Sequence, residues 1–189
     1  MTKGSTREQL LQAAERLVRS RGYSAISYAD LAEAVGIRKA SIHHHFPGKA
    51  DLGVALTDEY VERFETLLAT IAREEHGALG RIQRYGAVYE ASLREGMLCL
   101  CGMLATEIQV LPDEVRSGIR RFFTQQIAWL TRVLDEGVAR GELRLNGRTG
   151  PAAERIFAAL QGATLVAWGM GDPSVVARAT AALQSDLRG

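Results

Sequence analysis

Apolar residues recur along this chain every three or four positions, in stretches separated by glycine, proline and short polar runs. Nowhere do they show the strict alternation of a half-buried strand. The first stretch sets Leu10, Ala13, Ala14 and Leu17 behind Ser5 or Thr6, with Glu8 or Gln9 three residues after each, and predicts a capped helix ending at Gly22. Ser27, with Asp30 three residues on, opens a shorter helix carrying Leu31, Ala32 and Val35, and Gly36 closes it. A third helix runs from Lys39 to Phe46. Two short helices joined by a tight glycine-containing turn form a helix-turn-helix.

Pro47-Gly48 breaks the chain, and Lys49 opens a long amphipathic helix with Leu52, Leu56, Tyr60, Phe64, Leu67 and Ile71. After a break at His76-Gly77, a fifth helix carries Leu79, Ile82, Tyr85, Tyr89 and Leu93, and Gly96 ends it. A short apolar segment from Met97 to Val110 leads to a long helix that starts at Pro112-Asp113, contains Val115, Ile119, Phe122, Ile127, Leu130 and Leu134, and stops near Gly141. Residues 146–151 read as a loop. The next helix, Ala152–Met170, is apolar on almost every face and so needs cover on several sides, which a second subunit would supply. A last helix follows Gly171-Asp172-Pro173 through Leu183 and Leu187. A homodimer built from these last two helices is expected, with Gly162, Ala163 and Ala167 permitting close approach and Leu160, Val166 and Leu183 in contact. The expected fold is all-α with about nine helices: a three-helix domain over residues 1–48 and a larger helical domain over 49–189.

Composition adds less than pattern. A chain of 189 residues with 47% hydrophobic and 24% charged residues is globular and suits a small domain joined to a larger one. The net charge of +1 hides a division. Residues 1–50 carry eight Lys/Arg against four Asp/Glu, whereas residues 51–189 carry fifteen against eighteen. A basic head on a mildly acidic body suggests an anionic partner for the head. No apolar stretch approaches the roughly eighteen to twenty residues that span a bilayer, and Met1-Thr2-Lys3-Gly4 lacks a signal core, so a cytoplasmic protein without membrane contact is expected. Two cysteines, Cys99 and Cys101, are too few for a disulfide framework.

The run from Gly36 to Leu52, Gly-Ile-Arg-Lys-Ala-Ser-Ile-His-His-His-Phe-Pro-Gly-Lys-Ala-Asp-Leu, resembles the TetR family of transcriptional regulators. The match extends back through Val35, Ala32, Leu31, Ser27, Ile26, Gly22, Leu17, Ala13 and Thr6. The residues read the same way by themselves. Ile42 and Phe46 stand four apart and seal a helix onto Leu31, Val35 and Leu17, leaving Lys39, Ser41, His43 and His44 outward for a DNA groove. The resemblance implies phosphate contacts from Ser27, His43 and Lys49, and groove contacts from Arg38, Lys39, Ser41 and His44. The sequence departs from many members at Ala40, where Gly or Pro is usual, and at Ile42-His43, where Phe or Leu precedes Tyr. Base preference is therefore not carried over. His43, His44 and His45 diverge by about 100° each along a helix, so no metal site is expected there.

By the same resemblance the body dimerises and encloses a small-molecule effector, with Tyr85, Tyr89, Cys99, Met103, Glu107, Phe122, Trp129 and Trp168 as candidate wall residues. This set has the apolar lining and few polar anchors of a ligand pocket. The pattern Cys99-Leu100 followed by Leu104-Ala105-Thr106-Glu107 is similar to the segment of members that sense electrophiles or oxidants through a cysteine, with Cys99 at the matching position. The function implied is a ligand-responsive repressor that grips a palindromic operator as a homodimer and is released by a small apolar or electrophilic effector. A second class, a small helical thiol-dependent enzyme or redox protein using Cys99 or Cys101, would need a Cys-x-x-Cys pair, a phosphate loop or a nucleophile–base pair, none of which is evident. No enzymatic activity and no cofactor are expected.

Overall fold

In the computed structural model, which describes residues 5–188, nine α-helices and one 3-10 turn follow one another with no strand among the described residues. They are α1 Thr6–Arg21, α2 Tyr28–Val35, α3 Lys39–His45, α4 Lys49–Glu74, α5 Ala78–Arg94, α6 Leu100–Thr106, the 3-10 turn Ile108–Val110, α7 Asp113–Ala139, α8 Thr149–Met170 and α9 Ser174–Arg188. The local start signals act as read. Ser5 caps α1 in a reciprocal box with Glu8, and Ser27 caps α2 in the same way with Asp30. Gly36 ends α2 in the left-handed conformation.

The chain packs as two compact units. The first comprises residues up to Glu62 together with Leu100–Phe122, and the second comprises Arg63–Cys99 together with the chain from Phe123 onward. Helices α4 and α7 are therefore each divided between the two units.

In the first unit, α1 packs on α2 and α6, and α2 packs on α3. Its core contains Leu10, Leu11, Ala14, Val18, Ile26, Leu31, Ile42, Phe46 and Leu52. The buried residues of α1 are Leu10, Leu11, Ala13, Ala14, Val18 and Arg19, so of the expected stripe only Leu17 is half-buried, as is Val35 on α2. Further on, α4 lays Leu52, Leu56 and Tyr60 inward, and the Tyr60 ring meets Phe122 of α7 with centroids 5.1 Å apart.

In the second unit, α5, α8 and α9 pack on one another. Gly86 of α5 admits the close approach of α9, since a Cβ there would stand 2.3 Å from Thr180 Oγ1. Thr149, Gly150 and Pro151, expected in a loop, form the first turn of α8, where proline is tolerated because the first amides have no helical acceptor. Along α8 the buried face is Ala152, Ala153, Ile156, Phe157, Leu160, Ala163, Thr164 and Ala167. Leu160, Ala163 and Ala167, expected at a subunit contact, are thus buried within the chain's own core. The opposite face leaves Leu165, Val166, Trp168 and Met170 between 41% and 66% exposed. No helix is long and apolar enough to cross a membrane among the described residues.

Candidate DNA-binding surface and effector region

Helix α3 is pinned by Ile42, fully buried, and by Phe46 just past its end. That leaves Arg38, Lys39, Ser41, His43 and His44 exposed, and His45 half-buried. The end of α3 is stitched to α2. The Tyr28 hydroxyl donates to the Phe46 carbonyl at 2.8 Å, the Tyr28 and His43 rings lie 4.8 Å apart, and His43 Nδ1 donates to the Pro47 carbonyl at 3.1 Å. His43 is therefore held with its second ring nitrogen as the remaining polar atom.

Ser27 is exposed yet fixed. Its hydroxyl accepts the amides of Ala29 and Asp30 and donates to Asp30 Oδ2 at 2.6 Å. Bonds from the Ser27 side chain and backbone hold the Asp30 carboxyl below its usual range.

Lys49 differs from the other expected contacts in being half-buried. Its ammonium rests over the Tyr23 ring, 4.6 Å from the centroid, and reaches the Ser24 carbonyl at 3.5 Å. The Tyr23 hydroxyl donates back to the Lys49 carbonyl at 2.7 Å. Burial lowers the Lys49 pKa, against the opposing charges of Glu107 and Asp30. Among the described residues no group of three or more His, Cys, Asp or Glu side chains is placed to hold a metal ion.

The expected effector residues fall in both units. In the second, Tyr85 is fully buried, its hydroxyl 2.8 Å from that of Tyr89 and 3.1 Å from Gln126 Oε1. Since Tyr85 has one proton to give Gln126, the Tyr89 hydroxyl donates to Tyr85. Burial pushes the Tyr85 pKa well above its ordinary value. Its ring lies 5.4 Å from that of Trp129. Trp129 in turn forms part of the wall of an open groove of about 450 Å³ between α4, α5 and α7, with Leu68, Ala72 and Val133 as apolar lining and Glu65, Arg81, Arg132 and Glu136 as polar lining. Cys99 is 4% exposed, and the Gln161 amide donates to its sulfur at 3.6 Å. No disulfide joins Cys99 to Cys101. Trp168 is 41% exposed on the outer face of α8, beside a shallow recess shared with Leu93 and Pro173.

In the first unit, Phe122 is fully buried against Tyr60, and Met103 is half-buried. Glu107, expected among the wall residues, accepts the backbone amides of Tyr23 and Ser24. Sequence reasoning missed Gln126, although its place on the apolar stripe of α7, four residues after Phe122, was a readable signal. It also missed Arg81, whose guanidinium bonds Glu136 at 2.6 Å and the Glu75 carbonyl at 2.8 Å.

Residues 10–56 match the family model described as bacterial regulatory proteins, tetR family, and residues 78–183 match the tetracyclin repressor-like C-terminal domain. The chain is 27% identical over 166 residues to the HTH-type transcriptional repressor DhaR of Mycobacterium sp. (strain GP1), covering 87% of this chain and 83% of that one. It is 29% identical over 168 residues to the transcriptional regulator AcuR of Cereibacter sphaeroides, covering 84% and 74%. Among solved structures, a TetR-family regulator from Agrobacterium tumefaciens superposes with a TM-score of 0.93 at 35% identity over 97% of both chains. The reduced form of NemR from E. coli does so with a TM-score of 0.84 at 26% identity over 97% of both. Such regulators are DNA-binding proteins rather than enzymes, and with the exposed face of α3 in place, the chain belongs to the TetR family of transcriptional regulators.

Proposed function

We propose that this protein is a cytoplasmic repressor that binds a palindromic operator as a homodimer and releases it when a small apolar or electrophilic effector binds the helical body, with residues 1–48 as the DNA-binding domain and 49–189 as the sensing and dimerising one. The observation that carries the reading is the exposed array Arg38, Lys39, Ser41, His43 and His44 on a helix locked by Ile42 and Phe46, flanked by Ser27 and Lys49. Helix N-terminal residues of this kind face base edges in the major groove while neighbouring donors hold phosphates. The sign of regulation follows DhaR, a repressor by name.

A Lys49→Ala variant should bind both a duplex selected from random sequence by the parent and a random duplex more weakly, while still preferring the same sequence, because a phosphate contact carries no base information. A gel-shift or fluorescence titration reads both. A change of preferred sequence at constant affinity would refute the phosphate role.

The effector acts through α4 and α7, continuous helices that run from one unit into the other. An effector shifts the heads only if it binds the two states unequally. The groove beside Trp129 and the Tyr85–Tyr89–Gln126 network supply apolar surface with fixed polar groups. The electrophile branch draws support from Cys99, whose sulfur has the Gln161 amide beside it, and from the likeness to NemR, solved in a reduced form. Compounds found by thermal shift divide the branches. Cys99→Ser should abolish release from DNA by electrophiles, and Trp129→Ala should abolish release by reversible ligands. If both variants respond as the parent does, the sensor lies elsewhere.

A further inference from the structure

Glu107 follows the last residue of α6 and reaches back 84 positions in sequence. Its Oε1 accepts the Tyr23 amide at 2.6 Å and its Oε2 accepts the Ser24 amide at 2.8 Å. Charge-assisted bonds of this kind are roughly twice as strong as neutral ones. The turn between α1 and α2 is shaped to receive the carboxylate. Gly22 has φ of 91°, in the region that favours glycine, and a Cβ there would stand 2.6 Å from Glu107 Oε1. The two amides that Glu107 holds belong to the two residues that seat the Lys49 ammonium, the Tyr23 ring below it and the Ser24 carbonyl beside it.

The electrostatics agree with the geometry. Desolvation acts to raise the Glu107 pKa, but bonds from Ser24 and Tyr23 and the charge of Lys49 bring it below the usual value of 4.5. Burial, the Tyr28 charge and the Glu107 charge together push the Tyr23 hydroxyl to about 12.

We propose that Glu107 is a positioning residue for DNA recognition: by clamping the Tyr23–Ser24 turn it fixes where the Lys49 ammonium stands, and by its charge it restrains that cation from meeting phosphate out of register with α3. This rests on the DNA-binding reading above. A phosphate in register gains a preorganised cation, whereas one out of register would have to draw Lys49 from its seat. Removing the carboxylate loosens the seat and deletes a negative charge. Affinity for random DNA then holds or rises while affinity for the selected sequence falls.

The test compares the parent, Glu107→Ala, Lys49→Ala and the double variant on a duplex selected by the parent and on a random duplex of the same length. Glu107→Ala should lower the selected-to-random affinity ratio by about tenfold. In the Lys49→Ala background the same change should move that ratio by less than about twofold, because a residue acting through Lys49 has nothing left to position. Glu107→Gln, which keeps the shape and one acceptor, should fall between, and it reads the same ratio if Glu107→Ala is too unstable to assay. Equal loss on both duplexes, or an undiminished effect in the Lys49→Ala background, would overturn the inference and leave Glu107 a structural tie. A parent that selects no sequence at all would instead overturn the DNA-binding reading.

Discussion

With Leu165 and Val166 both replaced by Asp, the protein should sediment as a monomer and lose about a hundredfold or more of its affinity for a selected duplex. On the single subunit these side chains are 52% and 50% exposed, with Trp168 at 41% and Met170 at 66% close by on α8. Gly162 and Gly169 lie at matching helical spacing, and a Cβ at either would meet nothing within 4 Å, which leaves room for a second backbone. A two-fold interface presents the same patch twice, so two substitutions place four carboxylates in one desolvated contact. Each uncompensated buried charge costs several kcal/mol. A monomer then binds with one head, without the gain from a tethered second. Val138→Asp on α7, at a residue 43% exposed, serves as the control and should leave the mass unchanged. A double variant that stays dimeric would move the interface away from this face.

The second large effect is on stability: Tyr85→Ala should lower the free energy of unfolding by about 3–5 kcal/mol. Tyr85 is among the largest fully buried side chains, and its ring meets both Tyr89 and Trp129. The deletion leaves a cavity, removes a hydrogen bond to the Tyr89 hydroxyl and takes the Tyr85 donor from Gln126 Oε1. Tyr85→Phe separates the two contributions. It keeps the packing and loses the hydroxyl, so about 1–3 kcal/mol should go with it. Urea denaturation of the three proteins measures both. A loss below about 1 kcal/mol for Tyr85→Ala would mean that the region collapses freely, and the rigid network inferred around Gln126 would be abandoned.

The parts of this fold that could be read beforehand are those encoded within a few residues. Ser5 with Glu8 and Ser27 with Asp30 announce helix starts because both halves of each capping box lie on one turn. Gly36 ends α2 and Pro112-Asp113 opens α7 for equally local reasons. The exposed face of α3 was legible because Ile42 and Phe46 define, by their spacing alone, which side of the helix is hidden.

What the sequence did not disclose depends on partners far along the chain. Periodicity could not choose between Leu17 and Val18 as the buried residue of α1, since one helical step separates them and only the packing of α2 and α6 decides. On α8, small and large apolar residues alternate around the helix, so nothing local told that Leu160, Ala163 and Ala167 face inward while Leu165 and Val166 face out. Glu107 was grouped with the effector wall by family resemblance, and its partners in the fold could not be read from the segment around it. Its carboxylate takes the backbone amides of Tyr23 and Ser24, and backbone amides leave no mark in a sequence.

The central claim is sequence-specific DNA binding by the α3 face, and one titration tests it directly: affinity of the parent for a selected and for a random duplex across a range of salt concentrations. Arg38, Lys39 and Lys49 give each head three cations, so for two heads the plot of log affinity against log salt should fall with a slope between about −2 and −5. The selected duplex should remain at least about a thousandfold tighter than the random one at physiological salt. Equal affinity for the two duplexes, or binding that ignores salt, would contradict the account.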